Sequence, residues 1–247
     1  MCGRFGLVNP KALAERGLLD AMRLDEVGEE APARLEPRYN IAPSSDLLVA
    51  LTRRTDGDER RRLTVARWGL VPGWAKDAKI GARLCNARSE GVAATPSFRT
   101  AWKRGHRCLV PADVFYEWRT TGAEEPAKGK RAPREPWAFA MADGAPFALG
   151  GIWESWRDPA APDAPPLVTC SLLTTGANAL MSPIHDRMPV IVPPALFDEW
   201  LGRDTELARA EELLAPLAPE AMRGWRISPW VNDPRHDDAR VLEPAIA

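Results

Sequence analysis

Residues 47–68 read LLVALTRRTDGDERRRLTVARW, and the fold class depends on what this stretch does. Two apolar runs, LLVALT (47–52) and LTVARW (63–68), flank a charged segment, RRTDGDERRR (53–62), that carries Asp56-Gly57. An Asp-Gly pair between two short apolar runs is a hairpin signal, because tight primed turns need positive φ at their centre. The stretch therefore predicts two antiparallel strands, with the charge run at 58–62 as their solvated tip rather than a DNA contact. Further along, RCLVPADVFYEW (107–118) reads as a strand and WAFAMADGAPFALGGIW (137–153) as a hairpin turning at Asp143-Gly144. LVTCSLLTT (167–175), MPVIVP (188–193) and WRISPWVND (225–233) supply later strands. Helical patterns are short. One runs from Asn9-Pro10 to about Met22, and one from Thr95-Pro96 through Phe98 and Trp102 to Gly105. Another runs from Pro193-Pro194 through Trp200, and the last covers about 205–215. Segments 25–38, 68–91 and 119–136 read as loops, the last of them mobile. Strands dominate, come in adjacent pairs and do not alternate with long helices. That pattern predicts an α+β fold: a single β-rich domain over 1–247 with antiparallel sheets, a barrel-like core and flanking helices, ending in a helix and a late strand over 205–247. No internal repeat of solenoid length is present.

Composition sets the outer bounds. The chain has 247 residues, 45% of them apolar, enough for one sizeable core or two small ones. MCGRFGLVNPKAL lacks the apolar stretch of a secretory signal, and no apolar run is long enough to span a bilayer, so the expected location is the cytoplasm, with no membrane partner. The cysteines, Cys2, Cys85, Cys108 and Cys170, are far apart and form no CxxC pair. With His106, His185 and His236 also dispersed, neither a disulfide framework nor a metal site is expected, and no cofactor is implied. Net charge is −1, so any nucleic-acid surface must be a local patch. Arg outnumbers Lys by 27 to 6, which with the many Ala and Pro suggests a GC-rich genome and is weak evidence for phosphate binding.

Polar residues set inside apolar or aromatic stretches are the candidates for chemistry. They fall in Cys2-Gly3-Arg4, Cys85-Asn86-Ala87-Arg88, Phe115-Tyr116-Glu117-Trp118 and Ile184-His185-Asp186-Arg187. Each has a plain alternative: Asn86 as a turn residue, Glu117 on the solvent face of its strand, His185 as a loop histidine, and Arg88 and Arg187 in surface ion pairs. Together they supply complementary roles. Removal of Met1 would leave Cys2 with a free amine, titrating near ~7.7–8.0, beside a thiol near ~8.5. An amine and an adjacent thiol suit an aldehyde: the amine forms an imine and the thiol closes on the imine carbon, an intramolecular step that gives a thiazolidine. Glu117, flanked by aromatics, could have a raised pKa and move protons, and His185 titrates near neutrality. Arg88 and Arg187 could clamp phosphates, and Trp68, Trp74 and Trp118 could stack bases, although tryptophan is more often core. An aldehyde beside phosphates points to the ring-opened sugar of an abasic nucleotide.

MCGRF (1–5), RYNIAP (38–43), WGLVP (68–72), NARSE (86–90), FYEW (115–118) and IHDRMPVIV (184–192) occur in that order and cover the chain to about residue 193. This series resembles the motifs of the SOS-response-associated peptidase family, whose members are also called abasic-site processing proteins. The resemblance implies a β-rich α+β fold with a positively charged channel for single-stranded DNA. It implies an enzyme that senses abasic sites and shields them from cleavage through a covalent thiazolidine cross-link to Cys2. Beyond cross-linking, it implies peptidase or autoproteolytic and lyase-type imine chemistry as further options. Carried onto matching positions, Cys2 is the nucleophile, Asn86 helps to position it, and Glu117 and His185 transfer protons. Arg4, Arg88 and Arg187 match DNA-backbone contacts; Pro43, Trp74 and Trp118 match positions that contact or wedge the nucleic acid. The expected partner is single-stranded DNA bearing abasic sites, with single/double-strand junctions as an option, bound by a monomer. The segments between Trp68 and Asn86 and over 119–136 are longer than the family pattern, which bears on the junction accepted.

Two other classes remain open. Amidotransferases with an N-terminal nucleophile also begin Met-Cys-Gly, but this chain has no Asn-Gly and no His-Arg-Gly element. A noncatalytic single-strand binder would use the Arg and Trp residues alone.

Overall fold

The computed structural model describes residues 3–55, 57–121 and 132–245. Its strands are β1 (Arg4–Leu7), β2 (Glu26–Val27), β3 (Arg38–Ile41), β4 (Asp46–Thr55), β5 (Asp58–Trp68), β6 (Asn86–Arg88), β7 (Arg107–Ala112), β8 (Val114–Thr120), β9 (Arg134–Met141), β10 (Phe147–Trp156), β11 (Leu167–Gly176), β12 (Arg187–Pro189), β13 (Ile191–Val192) and β14 (Met222–Arg226). The helices are short: α1 (Ala12–Glu15), α2 (Leu18–Met22), α3 (Arg99–Lys103), α4 (Phe197–Leu201) and α5 (Leu207–Glu212). Among the described residues, no helix is long and apolar enough to cross a membrane.

The 47–68 stretch forms the expected hairpin. β4 and β5 pair in one register from Asp46↔Arg67 to Thr55↔Asp58. Gly57 in the turn has φ +92, which an L side chain rarely adopts. The hairpin belongs to a large sheet ordered β12-β11-β10-β7-β4-β5-β2, with β13 beside β10 and β6 beside β11. A short parallel pairing of Thr169 with Arg67 and Cys170 with Trp68 returns from β11 to β5, so that β4, β7, β10, β11 and β5 form a partial ring. The antiparallel, barrel-like core is thus present, with local parallel pairings added to it. A smaller sheet, ordered β14-β9-β8-β1-β3, lies against the ring. Aromatic contacts join the two. Phe5 meets Trp68 edge-on at 5.3 Å, and Phe115 stacks on Phe139 while meeting the Phe147 edge at 6.2 Å. The outer face of the small sheet, Val114, Tyr116 and Ala138, is covered by Ile227, Val231 and Val241 from the C-terminal segment.

Several boundaries differ from expectation for definite reasons. The helix over 10–22 is two helices, because Gly17 adopts the left-handed φ of +72 between them. The apolar run 107–118 is two strands in different sheets. It breaks at Asp113, whose N–H donates to Gly6 O and whose carboxylate accepts from the Asn9 N–H. A continuous apolar pattern gives no sign of a change of sheet. The turn at Asp143-Gly144 forms, but it joins β9 of the small sheet to β10 of the ring, so 137–153 is not a hairpin. The late strand ends at Arg226, since Pro229 opens a 3-10 turn over Pro229–Asn232. Pro194 likewise opens a 3-10 turn before α4, and α5 is shorter than 205–215. The 68–91 and 25–38 loops contain the short strands β6 and β2. The 119–136 excursion contributes strand at both ends, with residues 122–131 outside those described.

The WGLVP segment is locked by a close backbone approach. Gly69 has φ +124, and a Cβ there would lie 2.5 Å from Gly81 O. Trp68 Nε1 donates to Cys85 O at 2.8 Å, which carries the chain into β6.

Candidate active site

β8 carries the sequence FYEW out of the core. Side chains alternate along it, so Phe115 and Glu117 face the ring while Tyr116 and Trp118 face the C-terminal segment. Phe115 accordingly sits in the main core and Tyr116 in the smaller apolar cluster. Glu117 is only 2% exposed at the seam between the sheets. Burial is the largest influence on its carboxyl and raises the pKa from 4.5 to about 7. The expectation of a raised carboxyl among aromatics is met, and the solvent-face alternative is not.

His185 reaches the same seam from the loop between β11 and β12. Its Nε2 lies 4.0 Å from Glu117 Oε2. The backbone N–H of Arg187 donates to His185 Nδ1 at 2.9 Å. A backbone N–H can only donate, so the Nδ1 lone pair is engaged and the neutral ring carries its proton on Nε2, toward Glu117. Asp186 Oδ1 also lies 2.9 Å from Nδ1, a distance that favours the opposite tautomer. The backbone bond decides between them, because Asp186 is an exposed side chain and its carboxylate is solvated. Burial is the first cause lowering the His185 pKa, with Asp186 opposing it.

Glu117 and His185 line a cleft of about 970 Å³ together with Gly3, Arg4, Pro43, Trp118, Thr120, Ala132, Arg134, Ile184, Asp186 and Asn232. Arg4 crosses to the C-terminal wall: its NH1 donates to Asn40 Oδ1 and Val231 O, each at 2.9 Å. Its guanidinium lies 6.0 Å from the Trp118 ring. Trp118 Nε1 donates to Asn232 Oδ1 at 2.7 Å, fixing the indole as part of the cleft wall.

Of the residues expected in the site, the cleft brings together Arg4, Pro43, Glu117, Trp118 and His185. Cys2 lies outside the described residues, and its neighbour Gly3 lines the cleft. Asn86, Arg88, Trp74 and Arg187 do not line it. Asn86 and Arg88 sit on β6, in register with Leu172 and Thr174 of β11. Trp74, 58% exposed, lies in a separate depression with Lys76, Lys79 and Arg83. Arg187 is turned inward, NH1 and NH2 bonded to the Glu90 carboxylate at 2.5 and 2.9 Å. Trp68 is wholly buried and offers no stacking surface.

Sequence reasoning passed over three residues. Asn40, inside RYNIAP, is 2% exposed and its Nδ2 donates to Val231 O, Asp233 O and His236 O at 3.1, 2.9 and 2.9 Å. It pins the C-terminal wall, and its place as an amide between Tyr39 and Ile41 in a short strand was the available signal. Arg134 and Asn232 also line the cleft, but each sits in a charged, Pro-bearing stretch where nothing marks it. Among the described residues no cluster of His, Cys, Asp and Glu could hold a metal ion.

The family model for "SOS response associated peptidase (SRAP)" matches residues 1–234. The chain is 35% identical over 244 residues to the abasic site processing protein YoqW of Bacillus subtilis, covering 98% of this chain and 99% of that one. It is 30% identical to the abasic site processing protein HMCES of Gallus gallus, over 85% of this chain and 67% of that one. The crystal structure of a protein from Bacteroides thetaiotaomicron superposes with a TM-score of 0.79 at 24% identity, covering 99% of this chain and all of that one, a likeness of fold. The ordered motifs, the ring with its apposed sheet and the match across residues 1–234 agree: this chain belongs to the SOS response associated peptidase family.

Proposed function

We propose that this protein processes abasic sites in single-stranded DNA by forming a covalent thiazolidine between Cys2, exposed by removal of Met1, and the ring-opened sugar aldehyde. One observation carries the reading: a buried carboxyl with a pKa near 7 lies 4.0 Å from a histidine Nε2, in a cleft that Gly3 lines. The names of the relatives from Bacillus subtilis and Gallus gallus support the substrate.

The chemistry balances without a cofactor. The Cys2 amine adds to the aldehyde carbon and gives a carbinolamine. Glu117, half protonated near neutrality, donates a proton to the departing hydroxyl, and water leaves as the iminium forms. The Cys2 thiol returns a proton to the Glu117 carboxylate, and the resulting thiolate adds to the iminium carbon and closes the five-membered ring. One water is lost overall. His185, with its proton on Nε2, exchanges protons with Glu117 and with the sugar oxygen during ring opening. Arg4, Arg134, Pro43, Trp118 and Asn232 form the walls that receive the strand, and Arg88 and Trp74 serve as outlying DNA contacts. Asn86 orients the Cys2 amine. The whole chain, 1–247, acts as one domain and as a monomer.

The test is a denaturing gel. Protein lacking Met1 is incubated with a single-stranded oligonucleotide carrying one abasic site. A band that survives heat and detergent is expected, and it is absent with Cys2→Ala. A salt-sensitive complex that dissociates on denaturation would replace this reading with simple strand binding. Glutamine-dependent release of ammonia would replace it with an amidotransferase.

A further inference from the structure

The geometry points to Glu90 as a positioning residue for His185, acting through the Arg187 guanidinium; the inference rests on the proton-transfer role proposed for His185. Arg187 has two jobs in one residue. Its backbone N–H holds His185 Nδ1 at 2.9 Å and so sets the tautomer and the aim of Nε2. Its side chain, 12% exposed, is gripped from two directions. The Glu90 carboxylate takes NH1 and NH2 in a bidentate pair at 2.5 and 2.9 Å, and Thr174 O accepts from NH2 at 2.5 Å. A planar guanidinium held on two sides cannot swing without breaking three bonds.

The position of this latch gives it leverage. Arg187 stands at the neck of the loop that presents His185, where Gly176 pairs with Arg187 and the Ala177 N–H donates to Asp186 O at 3.0 Å. Glu90 lies in the 3-10 turn that follows β6, the strand of Asn86. The pair therefore ties the NARSE segment to the IHDR loop, two motifs separated by almost a hundred residues. The bond to Arg187 also holds the Glu90 carboxyl down to about 2, so the latch is charged throughout the physiological range. Arg187 thus anchors the loop through its side chain as well as through its backbone N–H.

Glu90→Gln removes the charge at nearly constant size, and Glu90→Asp keeps the charge. Both are compared with the wild type under saturating abasic oligonucleotide, with affinity for intact single-stranded DNA measured in parallel. Glu90→Gln is expected to slow cross-link formation at least about tenfold, the scale of a small misplacement of a reacting group, with affinity within about twofold. Glu90→Asp should recover part of the rate. Ring-nitrogen NMR of His185 supplies a readout independent of activity: one Nε2–H tautomer in the wild type, a mixture in Glu90→Gln. A wild-type rate and an unchanged tautomer in Glu90→Gln would overturn the latch. Loss of rate matched by equal loss of affinity would also overturn it, in favour of a DNA-binding role for the pair. Absence of any cross-link in the wild type would instead sink the proposed chemistry, while the NMR comparison still tested the latch.

Discussion

Replacing Glu117 with Gln should make stability depend differently on pH, by an amount the burial of this carboxyl fixes. In the folded protein its pKa is raised from an ordinary 4.5 to about 7. Between those values the folded state holds a proton that the unfolded chain has released. Stability contributed at this position is therefore greatest below pH 4.5, falls as pH rises toward 7, and is flat above. The gap corresponds to about 3 kcal/mol, at 1.36 kcal/mol for each tenfold change in proton affinity. With the side chain 2% exposed, solvent screening takes little from that figure. Glutamine has the same shape and no proton to lose. The difference in unfolding free energy, Glu117→Gln minus wild type, should rise by about 3 kcal/mol from pH 4.5 to 7.5 and then level. The assay is urea denaturation of both proteins at half-unit pH steps; groups common to both cancel. A difference that stays constant to within 1 kcal/mol would mean that Glu117 titrates as an exposed carboxylate, and the argument from burial would be wrong.

Other outcomes follow from the same geometry. Asn40→Ala leaves the carbonyls of Asp233 and His236 without their side-chain donor, while Val231 O keeps its bond from Arg4, and should cost about 2–4 kcal/mol in chemical denaturation, with faster amide exchange across 227–245. Arg134→Ala removes a cation from the cleft; affinity for intact single-stranded DNA should fall, and its log–log salt slope should drop by about 0.7. The rate of cross-linking should pass through a maximum between pH 7 and 8, because the Cys2 amine must be neutral, ordinarily above ~7.7, while Glu117 must keep its proton, lost near 7. A stopped-time gel series over pH 5.5–9.5 measures this, and residual activity of Glu117→Gln should lack the fall on the alkaline side.

The readable parts of the fold were those set by local chemistry. The Asp-Gly turn and its apolar flanks specified β4 and β5, and left-handed glycines punctuated the chain at Gly57 and Gly105. What stayed hidden was which sheet each strand joins. Asp113 and the turn at 143–144 redirect the chain from one sheet to the other, and period-two patterning is the same on both sides of the change. The site shows a similar division. Glu117 and His185 stood out because each is a polar group in an apolar setting, and the fold brings them together. Arg187 stood out for the same reason, yet its guanidinium faces Glu90, because a motif gives the residue type and not the direction of its side chain. Asn232 and Arg134 reach the cleft through tertiary contacts that no local pattern encodes.

Intact-mass spectrometry of the reaction with an abasic oligonucleotide reads the bond to Cys2 directly. One adduct is expected, with a mass equal to protein without Met1 plus oligonucleotide less one water, and with the DNA fragment on the peptide that begins at Cys2 after digestion. An adduct retaining Met1, or one located on another residue, would contradict it.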